Sequence, residues 1–291
     1  MPTKKYQEFI PHAVLQDYVK RFWILEKEYT AEDNNEEIIP DACVELILNF
    51  GTPYERISGS TRYQLPNVCL IGLQKKPLIL QANGVVKLVA VRFFAWGALS
   101  FLEDEGQLGG TTKLNLDDEW LAAISKSAAK AHARRYQEAV EEIEDFLIGK
   151  RLNSLYEPRQ VQAAGKLIYQ TKGQFRIAEL ADYCNLSVRQ LQRQLDSATH
   201  VSPKTLARTI RFEAIRNRLM FEPDANLTDL AYEFGFTDQA HFINDFKAFT
   251  NKTPGEFAAE AQKLQKMFRD HENVVFLQSP SSMLDYLENN L

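Results

Sequence analysis

The sequence predicts an α+β N-terminal domain, strand-rich, barrel-like and followed by helices, joined to an all-α C-terminal domain that carries two helix-turn-helix motifs. Three observations lead there. Short β-rich runs, separated by Pro, Gly and Asn, fill the first hundred residues. After residue 158, apolar residues recur at helical spacing to about residue 268. Within that helical half one pattern occurs twice, as "LADYCNLSVRQLQRQL" from Leu180 and as "LAYEFGFTDQAHFINDFKAF" from Leu230.

Taken in order, the predicted strands are "RFWILEKEY", "ACVELILNF", "NVCLIGL", "PLILQA" and "VVKLVAVRFF". Alternation puts Val44, Leu46, Leu48 and Phe50 on one face and Glu45, Ile47 and Asn49 on the other. Glu45 then shares a face with Ile47, and Arg92 one with Ala90 and Phe94. The two charges can form a buried ion pair, which serves either structure or an effector pocket. Phe22, Trp23, Phe94 and Trp96 read as core. A strand-rich domain of this size can enclose a small-molecule pocket, but it carries no histidine cluster for a metal-dependent barrel.

A helical stretch follows at 117–148, with Trp120, Ile124, Tyr136, Val140, Ile143 and Leu147 as its apolar positions. It is either a dimer surface or packing for its own strands. "GKRLNSLYEP" reads as the domain boundary. The predicted division is 1–150 for sensing and dimerisation, 151–158 as linker, 159–270 for DNA binding and 271–291 as tail. In the tail, "VVFLQSPSSMLDYLENNL" suggests a short strand and a short amphipathic helix.

Each repeated pattern reads as a short helix, a tight turn and a second helix. The turn needs a residue comfortable at positive φ, supplied by Gly235 in the second copy and Asn185 in the first. Ala181 and Ala231 are small enough for close helix crossing. Ser187 and Gln190 predict a capping box, and Asp238 a cap, for the second helix of each motif. Leu191 and Leu195 match Phe242 and Phe246 as inward residues. Between the copies, 203–221 reads as one helix of about 28 Å, able to hold two recognition helices about one DNA turn (roughly 34 Å) apart. Periodicity alone favours a plain helical bundle; the duplication with spaced turns and the basic first copy favour DNA binding instead.

The chain has 291 residues, 45% hydrophobic and 25% charged, and a net charge of -5. That charge is uneven. Residues 159–218 hold eleven Lys or Arg against four Asp or Glu, whereas 219–257 hold two against seven. No apolar run is long enough to span a membrane, and the start lacks the apolar region of a signal peptide. Cys43, Cys69 and Cys184 show no metal-ligand spacing. A cytoplasmic protein without metal, cofactor or enzymatic activity is expected.

The stretch "AYEFGFTDQAHFINDFKAFTNKTPGEF", with Gly235, Phe236, Phe242, Phe246, Lys247, Pro254 and Phe257, closely resembles the signature of the AraC/XylS family of bacterial transcription regulators. The resemblance covers 161–257. It implies a domain of seven helices, with its two helix-turn-helix units in adjacent major grooves of double-stranded DNA. More loosely, "IPDACVELILNF", "IGLQKKP" and "VAVRFFAWGALSFL" resemble an effector domain found in a subset of these regulators. A small-molecule effector, a homodimer and contact with RNA polymerase are the further partners considered.

Base reading needs long polar side chains on the exposed face of each second helix. In the first copy these are Arg189, Gln192 and Arg193. The equivalent positions in the second are Ala240, Ile243 and Asn244, where the family often has arginine at the last; Gln239 and Asn244 remain as readers, and Ile243 can touch a thymine methyl. Phosphate contacts are expected from Lys204, Arg208 and Arg211, and from Lys247, Lys252 and the backbone near Thr253. The first motif is thus expected to dominate. The acidic second motif is the feature that favours the alternative, an interaction protein whose helical domain no longer reads specific DNA.

Overall fold

The computed structural model describes residues 4–102, 111–114, 116–154 and 158–269; the tail prediction lies outside them. Among the described residues ten strands come first: β1 (Lys4–Phe9), β2 (Val19–Tyr29), β3 (Asn35–Ile38), β4 (Cys43–Asn49), β5 (Glu55–Ser58), β6 (Thr61–Gln64), β7 (Val68–Ile71), β8 (Leu78–Gln81), β9 (Gly84–Phe94) and β10 (Thr111–Lys113). They form a six-stranded antiparallel sheet in the order β1-β2-β9-β4-β7-β10 and a four-stranded one in the order β3-β8-β5-β6. No closed barrel forms among the described residues, which corrects the barrel-like expectation. The larger sheet ends at β1 and β10 and the smaller at β3 and β6, so the strands stack as two open layers.

The five predicted strands are the long or central ones. β1, β3, β5, β6 and β10 were not predicted. "NEEI", "ERIS" and "TRYQ" are polar, half-buried in the first two and exposed in the third, so pairing with a neighbour, not burial, makes them strands.

The large sheet is covered on both faces. Phe22, Ile24, Val44, Leu46, Leu48, Val89, Val91 and Phe93 face a helical hairpin, α1 (Asp118–His132) and α2 (Tyr136–Asn153), through Trp120, Ile124, Tyr136, Val140, Ile143 and Leu147. Trp23, Leu25, Ile47, Ile71, Leu88 and Ala90 face Leu78 and Leu80 of the small sheet. Each large side chain so buried contributes about 1.5–3 kcal/mol. The helical stretch expected at 117–148 is a pair of helices. The chain turns at Ala133–Arg135 with Arg134 at φ 58°, and the Arg135 amide donates to the Lys130 carbonyl at 2.9 Å. No glycine or proline marks this turn. It is imposed by packing both helices on one sheet face. α2 also runs four residues beyond Gly149, into the predicted boundary.

Seven helices follow among the described residues: α3 (Arg159–Gln170), α4 (Ile177–Tyr183), α5 (Val188–Thr199), α6 (Pro203–Phe221), α7 (Leu227–Glu233), α8 (Gln239–Thr250) and α9 (Pro254–Arg269). α6 passes through two cores. Its Leu206, Ala207 and Ile210 pack with Leu180, Ala181, Leu191 and Leu195; its Phe212, Ile215 and Leu219 pack with Leu230, Ala231, Phe242 and Phe246.

A seam joins the strand and helix halves. Trp96 packs on α3 at Gly165, where an added Cβ would lie 2.3 Å from the indole, so only glycine permits the approach. Lys166 pairs with Asp17 at 2.5 Å, and buried Lys20 with buried Glu213 at 2.8 Å. Ile39 lies against the second helical core.

Candidate nucleic-acid interface and effector pocket

Both repeated motifs are helix-turn-helix units. The turn after α4 is closed by Asn185 at φ 54°, and that after α7 by Gly235 at φ 74°. Ser187 and Gln190 form the capping box on α5, and Asp238 accepts from the His241 amide at 2.7 Å to cap α8. That bond holds the Asp238 carboxyl below the usual carboxylate range. The repeat also continues further than the sequence reading took it. "THVSP" and "TNKTP" close the two second helices alike: His200 and Asn251 are left-handed C-caps at φ 55° and 57°. Thr199 and Thr250 back-bond to Leu195 and Phe246. Ser202 and Thr253 then cap α6 and α9.

On α5, Arg189, Gln192 and Arg193 are exposed, and among the described residues no side chain bonds or pairs with them. Such a row can be held out to a base edge without first breaking a protein contact. On α8, Gln239 and Asn244 are likewise exposed. Ile243 is half-buried against the second core, which draws it back from a groove.

The residues expected to touch phosphate divide into two groups. Lys204 and Lys247 are exposed. Arg208 instead pairs with Asp245 at 2.5 Å and lies 4.7 Å from the Phe249 ring. Arg211 donates to the Gly173 carbonyl at 3.0 Å and sits over Phe236, and burial lowers its pKa. Lys252 pairs with Glu260 at 2.6 Å. The Thr253 amide donates to Glu256 at 2.7 Å, which lowers that carboxyl. Arg208, Arg211 and a Gln174–Glu233 bond of 3.2 Å tie the two units together. These ties went unread in the sequence because Asp245 alone gives no hint that it faces α6.

Comparison with known families now decides the type. The family described as "Helix-turn-helix domain" matches residues 180–260, which span both units. Residues 180–260 are a helix-turn-helix domain of the AraC/XylS type. A domain of unknown function, DUF6597, matches residues 7–107. The chain is similar to the HTH-type transcriptional activator RhaS of Escherichia coli (strain K12 / DH10B), 36% identical over 75 residues, and equally to that of strain O157:H7. This AraC/XylS-type match covers 26% of the chain and about a quarter, 27%, of the relative. Among solved structures, ToxT from Vibrio cholerae O395 is 14% identical with a TM-score of 0.46, covering 82% of this chain and 97% of its own. The same protein bound to (E)-4-(8-methylnaphthalen-1-yl)but-3-enoic acid scores 0.44 at 14% identity, covering 89% and 100%.

In the strand half, Glu45 and Arg92 are cross-strand partners, and the Arg92 Nε donates to Glu45 at 2.7 Å. Trp23 Nε1 also donates to Glu45, at 3.2 Å. Burial works against Arg92, but Glu45 and Asp41 more than offset it and raise its pKa. The pair lines a pocket between the two sheets, with Trp23, Leu25, Ile47, Tyr54, Leu80 and Leu88 as apolar wall. Sequence reasoning named only Glu45 and Arg92 of the lining; among the residues it missed is Arg216, which comes from α6. Cys43 and Cys69 are buried, free thiols, Cys69 pushed up to about 12 by burial, a setting for inert packing. Among the described residues no cluster of His, Cys, Asp and Glu could hold a metal, and no helix is long and apolar enough to cross a membrane.

Proposed function

We propose that this chain is a sequence-specific DNA-binding transcription regulator of the AraC/XylS type, with residues 159–270 binding DNA and residues 1–150 controlling them. The observation that carries this reading is the exposed, unpartnered row Arg189, Gln192 and Arg193 on the second helix of the first unit. Arginine bonds bidentately to guanine and glutamine to adenine, each good pair giving about 1–3 kcal/mol of discrimination. α5 and α8 lie in successive major grooves, and the first supplies most of the affinity and specificity. α8 adds Gln239 and Asn244. Lys204 and Lys247 hold phosphates, while Arg208, Arg211 and Lys252 serve the protein's own geometry.

Control comes from a small-molecule effector in the pocket beside Glu45 and Arg92. The pocket's closure by an α6 side chain supports this, because α6 carries both reading units.

Selection from a random duplex pool with full-length protein at near-physiological salt tests the reading. The expected product is a motif with one strong and one degenerate half. Failure to enrich any motif, with the full chain and with 159–270 alike, would return the helical domain to a protein-interaction role.

A further inference from the structure

The stretch "IPDA", residues 39–42, joins β3 to β4 and enters both helical cores within four residues. Ile39 packs against the second core, that of Phe212, Phe242 and Phe246. Ala42, 3% exposed, lies with Ala95 and Trp96 in the first, that of Leu180, Leu191 and Leu195. Three residue steps reach at most about 11 Å, so the two points of entry are neighbours. The link is also stiff. Pro40 is buried and fixes its own φ, and it confines Ile39 before it to extended backbone. Asp41 accepts from the Cys43 amide at 3.1 Å. Each end is anchored in a sheet: Ile38 pairs with Leu78, and Cys43 with Phe94.

The ties between the two units leave α6 on another side. They run from Arg208 to Asp245 and from Arg211 to Gly173. Glu213, which holds Lys20 of the strand half at 2.8 Å, lies about 140° round the helix from Arg208 and about 160° from Arg211, at roughly 100° per residue. Ties on one side of a rod leave it free to open on the other, and Arg208, its side chain 45% exposed, makes a weak one. The strand half closes the open side. It grips the first unit broadly, through Trp96 at Gly165 and Asp17 at Lys166. Its hold on the second core runs, among the described residues, through Ile39 alone.

We infer that the IPDA link is a strut by which the strand half fixes the spacing of α5 and α8, with Ile39 as its positioning residue. This rests on the DNA-reading proposal above and adds what sets the register of the two grooves.

The test uses full-length protein in two arms. The first measures binding to the selected duplex and to versions with one base pair added or removed between the parts read by α5 and α8. Each such step moves the second groove by about 3.4 Å and turns it by roughly 35°. The wild type should lose about tenfold, the size of one mismatched position, and Ile39→Ala should cut that loss to about threefold or less. Ile79→Ala is the control. Ile79 of β8 is likewise half-buried but, among the described residues, belongs to none of the hydrophobic cores, so its variant should keep the full loss. The second arm needs no DNA. Spin labels on Ser197→Cys of α5 and Ala248→Cys of α8, both exposed positions, report the distance between the helices, while Cys43, Cys69 and Cys184 are buried. Ile39→Ala should broaden that distance distribution, and Ile79→Ala should not. An undiminished spacing loss or an unbroadened distribution in Ile39→Ala overturns the inference. So does a wild type indifferent to spacing, or an equal effect in Ile79→Ala. If Ile39→Ala fails to fold, the milder Ile39→Val decides by the same readouts. If no duplex is enriched, the DNA-reading proposal falls and the label distances alone decide the strut.

Discussion

The two helix-turn-helix units use one set of backbone devices on opposite chemistry. Asn185 and Gly235 turn the chain, Ser187 and Asp238 start the second helices, and His200 and Asn251 end them. Around this frame the first core is aliphatic, built on Leu180, Leu191, Leu195, Leu206 and Ile210. The second is a ring cluster: Phe212 stacks on Phe249 at 4.4 Å and meets Phe246 at 5.2 Å, and Phe246 meets Phe257 at 5.5 Å. Outside, α5 presents two unpaired arginines, whereas the acid of α8, Asp245, is tied to Arg208. Caps and turns set the shape, and the surface is then free to diverge. One unit leaves its long polar side chains unpaired; the other turns its charge toward the sister unit.

The largest expected effect breaks the second core. Phe246→Ala should cost about 3–5 kcal/mol of stability, more than Leu195→Ala if the ring cluster collapses less readily, as chemical denaturation will show. Next comes the reading surface. Arg193→Ala should lose about 1–3 kcal/mol of specific binding, and Lys204→Ala should lower the salt slope by about one while weakening all sequences alike; titrations at several salt concentrations separate the two.

The tie between units gives a smaller effect. Asp245→Asn should shift affinity for the selected duplex by about 1 kcal/mol or less in either direction. It frees Arg208 for phosphate but loosens the spacing of α5 and α8. An unchanged half-site spacing preference in repeated selection would show that the tie does not set the register.

The seam gives a pH signature. Burial, helped by Glu213 and Glu45, pushes Asp41 up to about 6 against the pull of Arg92 and Arg216. The folded state then holds this proton more tightly than the unfolded chain, whose ordinary value is 3.8. Its contribution to stability is therefore lost as pH rises from about 4 through about 6. Asp41→Asn should raise Tm at pH 7.5 and leave it nearly unchanged at pH 4. A lower Tm at pH 7.5 would mean that ionised Asp41 stabilises the seam. Smallest of all, Asn185→Gly should alter stability by a few tenths of a kcal/mol, whereas Gly235→Ala should cost about 1 kcal/mol, because Gly235 is at φ 74° and a Cβ would meet Gln174 at 3.1 Å.

Much of this was legible in the chain. Positive-φ turns, caps and apolar spacing act over a few residues, so 203–221 came out as α6 and Glu45 as a neighbour of Arg92 across the sheet. Polar edge strands such as β6 were not legible, because their only reason to be extended is the strand beside them. Nor were the internal contacts of Arg208 and Arg211, since both partners lie more than thirty residues away. Arg216 escaped for the same reason: its helical position gives no sign that the far side of α6 closes a pocket in the other domain.

The central claim is that the first unit leads. Its most direct test is the loss of binding to the selected duplex on Arg193→Ala set against that on Asn244→Ala, at one salt concentration. A clearly larger loss at Arg193 is predicted. Equal losses would contradict the asymmetry and make the two units equal readers.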